Sequence, residues 1–480
     1  MKNTGATQSF TFDLTQQSST FLGFGTTTWP GDTSGVVVTQ ENSGNFVRFK
    51  VGPNWNPTEA QVQSFATQQN AEIYVRDYFG AAYLKQAQDT FAAAKRPKLN
   101  IVLIFFNIPT NFLTTVTVNN QTYPELQKQD VPLYAALLAA IYRYLLKNKL
   151  VPDYVELANE PDSKFNGTSG YISEANYALL VKEFWSRLQS QQPAGPAKVI
   201  GPGTVYTSHA YTYIDTLIAT NTDSLLYAYS AHNWDDNIDN NGFTPEQNFD
   251  NYCKYFFQTV KKAPKTVFIT EWATGISKYA GVQYASPDST NGKNGDSAAD
   301  QNAFAVTVMD RLVRLASWST QGAPSLATFY YEAHDQDQNK PTDWEHSSWG
   351  LLAGPADSVY SSRFRPTHTA LQTLFNVFSS GAKILAPRNL LTNPDNPVAV
   401  AFLTGTTLVL QLANVTSLDQ SVQITLNGLS QAKILQAQIY NANGQNSNTP
   451  TAVTQQGFTL SLHLPTYTAV NINLTVALAG

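Results

Sequence analysis

A single cysteine, Cys253, stands in a chain of 480 residues. No disulfide can form within the chain, and a cysteine-built metal site is excluded. The run Tyr252-Cys253-Lys254-Tyr255-Phe256-Phe257 suits a buried structural thiol. The six histidines nowhere adopt HExxH spacing. Charge is scarce as well: charged residues make up 14%, against about 25% in an average domain. The formal net charge is −5, and there is no basic run. The longest basic cluster, Lys261-Lys262 with Lys265, falls at an expected helix end, where lysines complement the helix dipole. Nucleic acid and anionic membrane are therefore poor partners. No apolar run reaches the ~18 residues of a membrane span. Residues 1–20 are polar and lack the apolar centre of a leader.

Aromatic and neutral polar residues take the place of charge. Aromatics make up 12% and hydrophobic residues 42%, enough for a large core. A surface rich in Asn, Gln, Thr and Tyr suits neutral polar ligands. From residue 21 to about 380, short apolar runs alternate with helical patterns. The expected strands are 21–26, 46–52, 100–106, 154–159, 198–203, 226–232, 266–271 and 326–332. They are mostly continuous apolar runs, as parallel strands covered by helices should be. Helical periods fill 133–149, 174–191, 245–262, 298–317 and 369–380. The interval 33–45 is short for a full helix. Eight alternations predict a (β/α)8 barrel, an α/β fold, over an open doubly wound sheet.

Beyond Pro387 and the run Thr392-Asn393-Pro394-Asp395-Asn396-Pro397 the pattern changes to apolar–polar alternation. Residues 398–403, 407–413, 421–426, 433–441, 457–463 and 467–475 read as an antiparallel β-sandwich, with turns at Asn427-Gly428 and Asn443-Gly444. Residues 8–14 alternate too and are expected to add a strand to it. The domains expected are a barrel over 20–382 and a sandwich built from 1–19 plus 383–480.

Barrel active sites lie at the C-terminal strand ends. Expected strand 4 ends in Asn159-Glu160-Pro161, and expected strand 7 ends in Glu271-Trp272. Two such carboxylates can face one another across the barrel mouth. Glycoside hydrolysis with retention needs such a pair, about 5–5.5 Å apart, one as acid/base and one as nucleophile.

The segments Val155-Glu156-Leu157-Ala158-Asn159-Glu160-Pro161 and Phe268-Ile269-Thr270-Glu271-Trp272 resemble the strand-4 and strand-7 signatures of the clan A glycoside hydrolases. The resemblance implies acid/base for Glu160, nucleophile for Glu271 and a sugar 2-hydroxyl contact for Asn159. It also implies that Arg48 stands behind the nucleophile. His232, in Ser230-Ala231-His232-Asn233-Trp234, would bond Glu271 or a substrate hydroxyl. Gly23-Phe24-Gly25, with the added sandwich, is loosely similar to the glucosylceramidase and β-xylosidase families. Two segments depart from the pattern, Asn107-Ile108-Pro109 after strand 3 and Tyr330-Tyr331-Glu332-Ala333-His334 at strand 8.

Of eight tryptophans, Trp29, Trp55, Trp234, Trp272, Trp344 and Trp349 follow strand ends, where flat rings can stack on sugars. The substrate contacts expected are Asn159, Arg48, His232, Trp234, Trp272, Trp29, Trp55, Tyr331 and Trp349. Long polar loops over 275–300 and 333–366 would wall the cleft. The second holds Asp335, Asp337, Asp343, Glu345 and His346, without the regular spacing of a calcium loop. No metal or cofactor is expected.

The expected activity is cleavage of β-glycosidic bonds in an oligo- or polysaccharide. A transglycosidase with the same pair and a noncatalytic sugar-binding protein are the alternatives. A secreted or periplasmic setting is expected, with a cytoplasmic one left open; oligomeric state is not legible.

Overall fold

A computed structural model gives the fold. It describes residues 7–479 apart from 17, 52–55, 165–169, 190–197, 235–243, 274–301, 334–349, 353–363, 376–379, 389–395, 417 and 442–452. In chain order the first strands are β1 (Gln8–Asp13), β2 (Ser19–Thr28), β3 (Phe46–Val51), β4 (Asn100–Phe105), β5 (Leu113–Val118) and β6 (Gln121–Leu126). Then come β7 (Tyr154–Glu156), β8 (Lys198–Thr204), β9 (Ala228–Asn233), β10 (Thr266–Trp272), β11 (Ser325–Tyr330) and β12 (Ala382–Leu385). The last are β13 (Val398–Thr404), β14 (Thr407–Asn414), β15 (Gln420–Asn427), β16 (Leu429–Asn441), β17 (Thr454–Gln456), β18 (Thr459–Leu464) and β19 (Thr468–Leu478).

Strands β2, β3, β4, β7, β8, β9, β10 and β11 pair in that order, all parallel, and β11 pairs back to β2. The ring is closed, and its eight strands are those the sequence predicts. The Leu-, Ala- and Tyr-rich period forms the helix Val131–Lys147, with Pro132 in its first turn and Lys147 in its last. The short interval after β2 does hold a helix, Thr33–Glu41. Its N-cap Asp32 accepts from the Gly35 N–H at 3.1 Å.

One insertion was not foreseen. Strands β5 and β6 form a hairpin after barrel strand β4. Its two-residue loop, Asn119-Asn120, has φ of 51° and 62°. Two positive φ values make the tight turn whose twist suits a hairpin.

The barrel interior is layered because strand side chains alternate. Phe46, Tyr154, Phe268 and Phe329, with Val102, Ile200, Ala228 and Ala327, form an apolar plug. Two residues further along the same strands stand Arg48, Glu156, Ser230 and Thr270, all buried. Beyond them come Lys50 and His232. The polar layers thus rest on a rigid aromatic floor.

Strands β12, β13, β14, β19 and β16 form an antiparallel sheet joined to β2 through β12. A second sheet, in the order β1, β15, β18, β17, faces it. Phe12, Ile424 and Leu462 from the one sheet pack with Leu412 and Ile472 from the other. β1 runs parallel to β15, with Gln8 opposite Val422. Among the described residues, no helix is long and apolar enough to cross a membrane.

Candidate active site

Strand β7 is short, and the chain turns sharply after it. Glu160 sits at φ 49°, a conformation unusual for a side-chain-bearing residue. The turn is held from both sides. The Glu160 N–H donates to the Gly203 carbonyl at 2.9 Å, and the Ile172 N–H donates to the Pro161 carbonyl at 2.7 Å. The Glu160 side chain remains partly exposed. Strained backbone of this kind persists where surrounding structure over-determines it.

Glu271 reaches the same place from β10 by a different device. The pairing of β10 with β9 shifts register between Ile269 and Glu271, and the pairing with β11 shifts between Ile269 and Trp272. A bulge breaks strict alternation and re-aims side chains. Thr270 and Glu271 both meet polar partners in the barrel, the Glu156 carboxylate and the Arg48 guanidinium. Trp272 turns the other way, into the core.

Arg48 organises the charges. Its Nε and Nη2 donate to Glu156 Oε2 at 3.1 and 2.9 Å. Nη2 also donates to Asn159 Oδ1 at 3.0 Å, and Nη1 donates to Glu271 Oε1. Glu156 Oε1 accepts from Ser230 Oγ at 2.6 Å and Thr270 Oγ1 at 2.9 Å. Arg48 Nη2 lies 3.3 Å from His232 Nε2. The other ring nitrogen, Nδ1, faces the two candidate carboxylates. That nitrogen is 3.1 Å from Glu160 Oε1 and 3.6 Å from Glu271 Oε2. Lys50 Nζ is 3.6 Å from Glu271 Oε1.

These neighbours set the ionisation of Glu271. Burial pushes its carboxyl up, but His232, Lys50 and Arg48 outweigh burial and bring it down to about 2. Burial pulls Lys50 below the ordinary lysine value, with Glu271 opposing and Arg48 reinforcing. For Arg48, the Glu156 and Glu271 carboxylates outweigh burial and raise its value. One ligand atom each of Glu160, His232 and Glu271 lie within 4.8 Å of one another. Among the described residues these three alone are close enough to share a metal, and the two cations against Glu271 oppose a third there.

Asn159 is buried with its oxygen on Arg48, which leaves its amide N–H groups to donate elsewhere. Trp29 and Trp234 are partly exposed at the mouth. Trp29 Nε1 donates to Glu332 Oε2 at 3.4 Å, and Trp234 meets the Tyr331 ring edge-on at 5.8 Å. Tyr331 is nearly buried at 9% exposure. Two expected substrate contacts need correction. Trp272 is 1% exposed and packs in the barrel–helix core, edge-on to Tyr330 at 5.6 Å; the bulge turned it away. Arg48 is fully buried beneath Glu271 and Asn159, so its partners are those side chains. His232 is fully buried too and faces the two candidate carboxylates. Trp55, Trp344 and Trp349, the loop 275–300, and Asp335, Asp337, Asp343, Glu345 and His346 lie outside the described residues.

Three members of the cluster were not singled out from sequence: Glu156, Lys50 and Glu332. The first two carried a signal. A charged side chain inside an otherwise apolar buried strand must be paired. Lys50 lies two residues after Arg48, on the same face of β3.

No family model matches the sequence, and no curated protein matches it. Solved structures do. A GH30 endoxylanase from Clostridium papyrosolvens C71 aligns with TM-score 0.64 at 12% identity, covering 98% of this chain and 100% of that one. The glycoside hydrolase family 30 subfamily 8 xylanase Xyn30A from Clostridium acetobutylicum aligns with TM-score 0.62 at 13% identity, covering 97% and 99%. A GH39 enzyme from Xanthomonas axonopodis pv. citri aligns with TM-score 0.55 at 13% identity, covering 98% of each chain. The chain has the fold of these glycoside hydrolases. Barrel and sandwich are both included, since nearly the whole of each chain is matched.

Proposed function

We propose that this protein is a retaining glycoside hydrolase acting on β-linked oligo- or polysaccharide. Glu160 is the acid/base and Glu271 the nucleophile. The observation that carries the reading is the carboxylate pair, with oxygens within 4.8 Å. Inverting enzymes hold their carboxyls about 6.5–9.5 Å apart to admit a water between them. Glu271 is kept ionised by adjacent cations, as a nucleophile at a sugar carbon requires. In the first step Glu160 protonates the departing oxygen while Glu271 bonds to the anomeric carbon. In the second, water gives its proton to Glu160, its oxygen bonds to the same carbon, and Glu271 is released.

Asn159 donates to the 2-hydroxyl in this reading, and Trp29, Trp234 and Tyr331 line the sugar subsite. The structural neighbours named as xylanases support a polysaccharide substrate. The catalytic unit is residues 20–382. Residues 1–19 with 383–480 form a domain with no tryptophan, which favours packing over sugar binding. The scarcity of charge fits a secreted protein.

The test is a panel of aryl glycosides and polysaccharides, followed by mass spectrometry of protein treated with a slow 2-fluoroglycoside of the preferred sugar. A label on the peptide carrying Glu271 is expected. Turnover with inversion at the anomeric carbon, or no turnover of any glycoside, would overturn the reading. Transfer to an added sugar in place of water would mark a transglycosidase.

A further inference from the structure

The ammonium of Lys50 is boxed by rings. Nζ lies 4.3 Å from the centroid of Phe106, 4.4 Å from Trp29 and 4.9 Å from Tyr331. The side chain is 4% exposed, so the ring faces stand where water would otherwise be. Among the described residues its nearest carboxylate is Glu271, and the oxygen it approaches is Oε1, the one Arg48 also holds. Among the described residues, the ion-pair partner of the other oxygen, Oε2, is His232 Nδ1, at 3.6 Å. The two oxygens of one carboxylate are therefore not equivalent.

We propose that Lys50 is a second catalytic cation on the nucleophile: with Arg48 it holds Glu271 Oε1, leaves Oε2 to bond to the anomeric carbon, and stabilises the carboxylate when that bond breaks. The proposal rests on Glu271 being the nucleophile. In the second step the bond between Oε2 and the sugar breaks, and its electron pair returns to Glu271. Water supplies the new bond to carbon, and its proton goes to Glu160. The charge that returns to Glu271 spreads onto Oε1, where two cations are already in place and need not reorganise. The first step gains nothing comparable, because there the same cations stabilise the carboxylate before it reacts.

Among the described residues, the charged groups facing Glu271 are Arg48 and Lys50 from β3, His232 from β9 and Glu160 from the turn after β7. Glu156 acts on it through Arg48. Glu332, following β11, acts on Lys50 together with Glu271 and Glu160. Removing Lys50 takes away one of the two cations.

Lys50→Met and Lys50→Gln remove the charge at similar length, and Lys50→Arg keeps it. On an activated aryl glycoside, both neutral variants should lose at least about tenfold in kcat with a smaller change in kcat/KM, so KM falls. Glycosyl-enzyme should accumulate in the steady state, visible by mass spectrometry. The acid limb of kcat/KM should move up by about one pH unit, since a carboxylate that loses a cation is protonated more readily. Lys50→Arg should restore the limb. A neutral variant that melts like the native protein yet keeps native kcat, KM and acid limb would overturn the proposal. So would an equal fall in kcat and kcat/KM without accumulated intermediate.

Carbon-13 NMR of glutamate-labelled protein, with Glu271→Gln locating the resonance, reads the Glu271 titration without turnover. If the native protein cleaves no glycoside, the functional reading fails while this titration still decides whether Lys50 holds Glu271 ionised.

Discussion

Glu156 receives both Nε and Nη2 of Arg48 on a single carboxylate oxygen, at 3.1 and 2.9 Å. Its other oxygen is filled by Ser230 and Thr270. The pair lies at the centre of the barrel with both side chains fully buried. Glu156 fixes the guanidinium so that Nη1 faces Glu271. Glu156→Gln keeps the shape and removes the charge. It should destabilise the fold by about 2–3 kcal/mol, since a buried arginine loses part of its compensation. Urea denaturation measures the loss. Activity should fall as well, through Arg48, with the acid limb of kcat/KM displaced. Native stability in this variant would show that the pair is not holding the barrel.

Glu271→Gln should abolish turnover while sugar binding persists. Calorimetry with the preferred oligosaccharide reads the binding, and a sensitive fluorogenic glycoside reads the turnover. Appreciable residual activity, beyond contamination, would remove Glu271 from the nucleophile role.

Glu160→Ala should spare activated aryl glycosides relative to natural substrate, because a good leaving group needs little protonation. The ratio of kcat/KM for the two substrate types is the measurement. Equal loss on both would make the acid role wrong.

Gly203→Ala tests the packing beside the charged layer. Gly203 has φ +71°, and a Cβ there would meet Glu156 Oε1 at 2.7 Å and the Ala158 carbonyl at 3.0 Å. The backbone conformation alone costs a side-chain-bearing residue about 1–2 kcal/mol. A fall in melting temperature should accompany a fall in kcat/KM, because the displaced group is the carboxylate that anchors Arg48. An unchanged melting curve would contradict the crowding.

Acid stability should depend on His368. Burial pushes its imidazole down to about 4 from the usual 6.5. Its ring is stacked on Phe364 at 3.9 Å. Glu41 lies 3.6 Å away but is 42% exposed, and does not offset the burial. The folded protein holds this ring neutral, so the unfolded chain takes up the proton first as pH falls. Stability is fully present above about 6.5 and declines down to about 4, by roughly 3 kcal/mol in all. Urea midpoints across that window should flatten in His368→Phe.

The barrel was legible because its strands are covered on both sides and read as unbroken apolar runs. The two glutamates were legible because each closes such a run. What could not be read was the bulge at the end of β10. Strict alternation from Phe268 and Thr270 gives no warning that Glu271 also turns inward and that Trp272 goes to the core. The β5–β6 hairpin, by contrast, carries its signal in Asn119-Asn120, which follows the threonine-rich run 113–118 and precedes a run, 121–126, that Pro124 interrupts. Glu156 was quoted within a motif, yet its meaning depends on Arg48, which lies two barrel strands away along the ring.

The parallel pairing of β1 with β15 has a consequence for biogenesis. On the ribosome β1 emerges before every barrel strand, and its partner β15 emerges only after the whole barrel has been made. The sheet that buries Phe12 cannot be completed during most of synthesis, so β1 leaves the ribosome early and docks late. Until then its apolar residues Phe10 and Phe12 are open to chaperones, and so is the uncovered edge of β15 once that strand is made.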